Sequence, residues 1–380
     1  MLICWLTFVA FTTWQHVKKT DLPPIFDATE YFLKAKNFWA NLHDRRIHNP
    51  LNLEPTFRPP GTVVMSYPFG FNTDFHPYFF RSIFFPLLCM AAAVYVVGSH
   101  GPNKGSTRWN LALLAIFVTS LPTFYHFERV TDDNSGLCWG LVDNFFAGIA
   151  CLAAAALMRS LKTLSLRWLI AGSLLAGFCV LVKPAGAVIM LLLSAVWFMA
   201  LLVRLAGANV SSDERTQVVK MLVRGSLCVT GIEGTTLALC RASHYLSTTN
   251  IAYGKDAMRL LRAEWAPSLT PGLMYWQIRS VLGSVFPCML AAFAVLAIAY
   301  WKRIQDRQAN WAPSVLWGMV LSAAVCLTTG VWFWLAFSAI SQVRYFTPFP
   351  LIAFVCVIPI VLRVLEVMPR WQSSPFAWLG

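Results

Sequence analysis

Two carboxylates open the segment FDATEYFLKAKNFWANLHDRR, which begins at Phe26. Asp27 stands where a helical pattern starts, and Glu30 follows three residues later, so the simplest interpretation is an N-cap completed by a capping box. A cap also fixes a carboxylate at the mouth of a loop, and a general base needs such fixing. The two roles are compatible, and Asp27 and Glu30 are the candidate catalytic residues.

A second group of candidates is cationic and widely separated along the chain. Arg58 lies in the motif RPPG, in which prolines stiffen the backbone and glycine permits a turn. A guanidinium on such a turn suits bidentate phosphate binding, and an ordinary solvated arginine fits the spacing equally well. Lys183 in LVKPAG and Arg344 in QVRYFTPFP would complete a cationic pocket. For Lys183 the alternative is snorkelling to the membrane interface.

Polar residues predicted at the same membrane face complete the candidate set. Asp143 lies in an apolar run, where an ionisable group is a functional candidate. Asp133, with Glu128 and Asp132, favours a solvated loop and would face the same water. The predicted substrate-binding residues are Arg58, Lys183, Arg344, Tyr345, Asp143, His76 and Asp133.

The sequence does not predict a metal site. None of the seven histidines forms an H-x-x-x-H pair. Asp27 with Asp132 or Asp133 is the one arrangement that would hold a divalent cation. No nucleotide cofactor is expected, because the chain has no P-loop or Rossmann fingerprint.

The composition defines the elements that must position these residues. Hydrophobic residues make up 57% of the 380 residues, charged residues 12%, and the mean hydropathy is +0.59. A soluble domain carries about twice that share of charge, and a disordered chain has far fewer aromatic residues. The long apolar runs therefore predict an all-α, polytopic transmembrane helical bundle.

The apolar runs predict about ten membrane spans and one interfacial helix. The helix follows Phe26 and has Ala28, Tyr31, Phe32 and Trp39 on its apolar face and Lys34 on its polar face. The predicted spans are 1–16, 78–98, 109–124, 137–158, 167–182, 184–203, 221–243, 280–301, 311–338 and 346–366.

The basic residues set the predicted orientation. Those of the short loops alternate onto one face, which the positive-inside rule makes cytoplasmic. All but four of the 17 acidic residues lie on the other side or near it, together with the long loops 17–77 and 244–279. We expect a catalytic core over 1–243, a variable C-terminal part over 244–380, and a location in the inner (plasma) membrane of a bacterium.

The order of these motifs resembles one family of membrane enzymes. Asp27 with its Y-x-x-x-A-K helix, then RPPG and YPFG, AGSLLAGFCVLVKP and RYFTPFP are similar to the GT-C polyprenyl-phosphate-dependent glycosyltransferases. Within that family, the motifs resemble the lipid A aminoarabinose transferases and the protein O-mannosyltransferase-like bacterial proteins. The resemblance covers residues 20–205 and one motif at 340–360. It implies a GT-C-like fold, an outer active site and inversion at the anomeric carbon. It also implies that Asp27 activates the acceptor, that Arg58, Lys183 and Arg344 hold the donor phosphate, and that Asp143 orders the fourth span near the site.

Two functions follow as hypotheses. The first is transfer of a sugar from a polyprenyl-phosphate donor to a hydroxyl of a glycan, lipid or protein acceptor. The second is a flippase or transporter of the same lipid-linked sugar, which would move it without forming a new glycosidic bond. The expected partners are these substrates and the lipid bilayer, with no nucleic acid.

Overall fold

A computed structural model of the protein describes nine stretches of the chain. Predictions that fall between these stretches, including the span 280–301 and the loop 244–279, lie outside the described residues. The described stretches are 2–19, 27–44, 60–66, 76–99, 107–127, 142–207, 211–242, 313–337 and 348–367.

All regular structure in the described residues is helical, which confirms the all-α class. One short 3-10 helix, Pro60–Ser66, lies in the first long loop. The α-helices are α1 (Leu2–Val17), α2 (Asp27–His43), α3 (His76–Gly98), α4 (Thr107–Phe127), α5 (Asp143–Thr163), α6 (Leu166–Val182), α7 (Gly186–Ala206), α8 (Ser212–Ala242), α9 (Pro313–Phe337) and α10 (Pro348–Val367).

Several of these helices have the length and composition of membrane spans. Within the described stretches, α3, α5 and α7 are long and apolar enough to cross a bilayer, and shorter apolar segments lie in α4, α6, α9 and α10. The helices coincide with the predicted spans to within a few residues, except that α8 begins well before 221 and α5 begins late. Asp143, predicted within the fourth span, is the first residue of the candidate span α5, so it lies at the end of that helix and not in its middle. A carboxylate there faces the positive end of the helix dipole.

Helix α5 is the centre of the bundle. It packs against α3, α6, α7 and α10, and 89% of its apolar 18-residue segment is buried inside the protein. Its run of small residues, AGIACLAAAA, allows neighbouring backbones to approach closely. At Gly148 a Cβ atom would be 2.9 Å from the Cα of Pro86 in α3. The most closely packed helix therefore carries Asp143 at its first position.

Contacts at the helix ends fix their directions. Arg159 near the end of α5 donates to the Ser99 hydroxyl just after α3 (3.2 Å), and Arg204 near the end of α7 donates to the Leu161 carbonyl. Helices α3, α5 and α7 therefore run the same way, and α6 returns between α5 and α7. We call the two ends of the bundle the Asp143 end and the Arg204 end.

The Arg204 end is held together by charge. Arg204 donates to the Glu214 carboxylate at the start of α8 (2.8 and 2.9 Å), in addition to its bond to Leu161. The Arg159 guanidinium lies 3.9 Å from the centroid of the Trp168 ring. These contacts join the ends of α5 and α7 to the starts of α6 and α8.

Helix α2 forms where the sequence predicts a helix, but Lys34 was assigned to the wrong face. Lys34 was expected on the polar face, and it is 5% exposed, on the same side as the buried residues Tyr31 and Ala35. Spacings of three and four residues place positions 31, 34 and 35 on one stripe. The Phe32 ring meets the Tyr78 ring at 5.7 Å, which docks α2 on the start of α3.

Candidate functional site

An ion pair joins two of the predicted site residues at the Asp143 end. The ammonium group of Lys183 donates to the carboxylate of Asp143, and their side chains are 14% and 7% exposed. Lys183 follows the last residue of α6, and Asp143 begins α5, so the antiparallel packing of the two helices brings them together. A largely buried cation and its partner thus sit at one rim of the bundle.

The turn LVKPAG sets the position of Lys183. The Lys183 backbone is extended, and its amide donates to the Cys179 carbonyl at 3.0 Å, which ends α6. The Gly186 amide then donates to the Lys183 carbonyl at 2.8 Å. A Cβ atom at Gly186 would be 2.2 Å from the carbonyl carbon of Cys179, so only glycine fits this reversal. The lysine is held by a rigid turn.

The 3-10 helix of the first loop packs beside this turn. A Cβ atom at Gly61 would be 2.9 Å from both the carbonyl carbon and the oxygen of Leu181, two residues before Lys183. Thr62, the next residue, is completely buried. The last residue of the RPPG motif therefore touches the main chain of the helix that ends at Lys183.

Ser66 ties the other end of the 3-10 helix to two α-helices. Its hydroxyl accepts a hydrogen bond from the Trp39 indole of α2 at 2.6 Å and donates to the Val63 carbonyl at 2.5 Å. Its carbonyl accepts a hydrogen bond from Arg81 of α3 at 2.7 Å. Through these bonds and the packing of Gly61 against Leu181, the 3-10 helix connects α2, α3 and α6 at the Asp143 end.

Arg81 lies in the second turn of α3, is 4% exposed and was not among the residues predicted from the sequence. One signal was present, because Arg81 is an ionisable residue inside an apolar run. Its hydrogen bond to Ser66 is made to a main-chain carbonyl, which every residue possesses, so no sequence pattern indicates that pairing.

The remaining predicted residues divide into two groups. Glu30 is exposed in the first turn of α2, and His76 is the first residue of α3 and half-buried. Asp27 is the first residue of α2, and its side chain lies outside the described part. Four further predicted residues lie outside the described stretches: Arg58, Asp133, Arg344 and Tyr345.

One further ionisable residue, Glu233, lies away from this rim, and a metal site is a separate question. Glu233 of α8 accepts a hydrogen bond from the Ser194 hydroxyl of α7, which joins two helices in the body of the bundle. Among the described residues, no group of three His, Cys, Asp or Glu side chains is arranged to hold a metal ion. Asp132 and Asp133, the predicted partners of Asp27 in such a site, are not among them.

The described residues thus form a helical bundle of the membrane-protein class, in which the 3-10 helix Pro60–Ser66 packs beside the largely buried pair of Lys183 and Asp143. No protein-family model, curated protein or solved structure matches the chain. The resemblance to the GT-C glycosyltransferases thus stays a prediction.

Proposed function

We propose that this protein is an inverting membrane glycosyltransferase of the GT-C type with about ten spans. It would transfer a sugar from a polyprenyl phosphate to an acceptor hydroxyl at the outer face of the membrane. One observation supports this most directly: the 3-10 helix that completes the RPPG motif packs onto the end of α6 at the Lys183–Asp143 pair. Two segments far apart in sequence, both predicted to bind phosphate, thus meet at one rim.

Lys183 supplies the first cation of the proposed donor site. An ammonium group at the membrane rim attracts the phosphate of a lipid whose chain stays in the bilayer. Asp143 holds that ammonium in place before the donor arrives, which limits the cost of leaving a charge largely buried. The phosphate binds the same ammonium group, which stays paired with Asp143. Arg58 and Arg344 provide the further cations, and Tyr345, His76 and Asp133 line the site.

The proposed reaction is a single displacement. Asp27, or Glu30, accepts the proton of the acceptor hydroxyl. At the same time the acceptor oxygen forms a bond to the anomeric carbon. The bond from that carbon to the phosphate oxygen breaks, and the electron pair leaves with the lipid phosphate. Attack from the opposite side inverts the anomeric carbon. The fixed cations stabilise the charge on the departing phosphate.

A transporter of lipid-linked sugar is the second candidate. The observation in its favour is Glu233, a carboxylate paired with Ser194 in the body of the bundle. Ionisable groups within the membrane often mark transport pathways. Such a protein would share the headgroup site at Lys183 and would leave the bond between sugar and phosphate intact.

The test is product chemistry in reconstituted membranes. Proteoliposomes receive a polyprenyl-phosphate-linked sugar and extracted cell-envelope glycans, lipids and proteins, and mass spectrometry searches for a new glycosidic bond. A protein-dependent product with inverted anomeric configuration supports the proposal. Sugar that crosses the bilayer while still bound to its lipid identifies a transporter and refutes the enzyme.

A matched pair of variants connects the product to the site. Lys183→Gln is expected to reduce product formation by at least about tenfold, because a charged interaction with the phosphate is lost. Lys220→Gln removes an exposed lysine from the first half of α8, towards the Arg204 end, and should leave product formation unchanged. An equal loss of product in both variants would show that the reaction does not depend specifically on Lys183.

A further inference from the structure

Arg81 is an unusual residue for its position. It lies in an apolar helix of membrane-spanning length and is 4% exposed. Burial of a guanidinium is costly unless it is paired or hydrogen-bonded. The Arg81 guanidinium donates a hydrogen bond of 2.7 Å to the carbonyl of Ser66, the last residue of the 3-10 helix. Apolar residues would fill the same volume at lower cost, so a role beyond packing is favoured.

The bond matters because a 3-10 helix has little stability of its own. Such helices are short and have poorer hydrogen-bond geometry than α-helices. The position of Pro60–Ser66 is therefore set by its neighbours. At one end Gly61 lies against Leu181, and at the other end Ser66 is held by Arg81 and Trp39.

We propose that Arg81 is a positioning residue. Its hydrogen bond to Ser66 holds the 3-10 helix in contact with the end of α6, and so sets the position of Pro60–Ser66 relative to Lys183. Arg81 acts through the Ser66 carbonyl and does not touch substrate. Trp39 supports the same residue from α2 through the Ser66 hydroxyl. The purpose assigned to this arrangement, binding a polyprenyl phosphate, rests on the proposed function, whereas the mechanical role rests on the contacts alone.

The first experiment needs no ligand. Hydrogen–deuterium exchange is measured on the purified full-length protein, comparing wild type, Arg81→Gln and Trp39→Phe. Both variants should accelerate exchange of amides 61–66 and 185–188, about tenfold for Arg81→Gln, because a hydrogen bond to a charged donor is lost. Arg167→Gln, an exposed arginine at the Arg204 end, should change neither segment. Trp39→Phe keeps an aromatic ring and tests the same Ser66 contact if Arg81→Gln fails to fold.

The second experiment measures binding of a polyprenyl phosphate without sugar to the protein in nanodiscs. Arg81→Gln should weaken binding about tenfold in the wild-type background and have little further effect in Lys183→Gln. A purely structural arginine would weaken binding equally in both backgrounds. Arg81→Lys keeps the charge and should recover part of the affinity.

The two experiments separate the two ideas. Unchanged exchange at 61–66 in Arg81→Gln and Trp39→Phe overturns the positioning role, and so does an equal loss of binding in both backgrounds. If wild-type protein does not bind a polyprenyl phosphate at all, the proposed function fails. In that case accelerated exchange at 61–66 and 185–188 still supports the positioning role, and unchanged exchange rejects it.

Discussion

Gly61 lies directly against the main chain of Leu181, so that a Cβ atom at position 61 would be 2.9 Å from the Leu181 carbonyl. The two residues are 120 positions apart, and the contact brings the first polar loop to the helix that ends at Lys183. The atoms that a Cβ at position 61 would meet belong to the main chain of α6, so no flexible side chain can move away to make room. The 3-10 helix can therefore lie this close to α6 only if position 61 has no side chain.

Gly61→Ala is expected to destabilise the protein by about 1–3 kcal/mol, because added atoms in a packed site force the backbone to shift. Sugar transfer should fall further than stability alone explains, since the 3-10 helix moves away from Lys183. Thermal unfolding in detergent, followed by tryptophan fluorescence, measures the first effect.

The control for this substitution is Gly231→Ala in α8, where nothing lies within 4 Å of the added Cβ. Alanine is a better helix former than glycine by about 1 kcal/mol, so this variant should be neutral or more stable. A similar melting temperature for the two variants would show that the Gly61 contact is not tight.

Lys183→Met should lower the free energy of unfolding by about 3 kcal/mol, because it leaves the Asp143 carboxylate largely buried without this partner. Replacing both partners, as Asp143→Leu with Lys183→Met, should recover most of the loss. Urea unfolding of the single and double variants tests this expectation.

The same variants separate stability from function. The double variant should fold and still fail to transfer sugar, because the proposed phosphate-binding cation is gone. If the double variant is as unstable as Lys183→Met alone, the two side chains do not form an energetically coupled pair.

Arg204→Gln should destabilise the protein by about 2 kcal/mol, because hydrogen bonds from a charged group to Glu214 and Leu161 are lost. Transfer per folded molecule should stay at the wild-type level, since the proposed chemistry lies at the other end of the bundle. Arg215→Gln, an exposed neighbour, is the matched control and should change neither quantity. A selective loss of transfer in Arg204→Gln would place function at the Arg204 end.

Most of the helices could be predicted because each contains an apolar run, which needs no partner to be recognised, whereas α2 was predicted from its amphipathic pattern. That Lys183 and Asp143 share one end follows from counting spans, since each span reverses the chain. Their ion pair could not be predicted in the same way. It requires α5 and α6 to pack as neighbours, and the register of Asp143, at the first residue of α5, is set by packing and not by composition.

Side-chain burial was harder to predict than helix position. Lys34 has a polar side chain on a stripe shared with Tyr31 and Ala35, and the amphipathic pattern of the helix assigned it to the polar face. The stripe is buried because α2 docks on the 3-10 helix and on α3, which are elements from other parts of the chain. Arg81 was missed because its partner is the Ser66 carbonyl, a group that carries no sequence signal.

The identity of the general base is the last expectation. Asp27→Asn should reduce transfer by about 10²–10⁴-fold, because an amide does not accept the proton of the acceptor hydroxyl. Glu30→Gln should give that loss instead if Glu30 is the base. Asp44→Asn, an exposed carboxylate just after the other end of α2, is the control and should retain wild-type activity. Initial rates over a pH series, with the lipid-linked donor saturating, distinguish loss of the base from weaker binding. Near wild-type rates in both Asp27→Asn and Glu30→Gln would remove α2 as the source of the base while leaving the Lys183–Asp143 rim as a phosphate site.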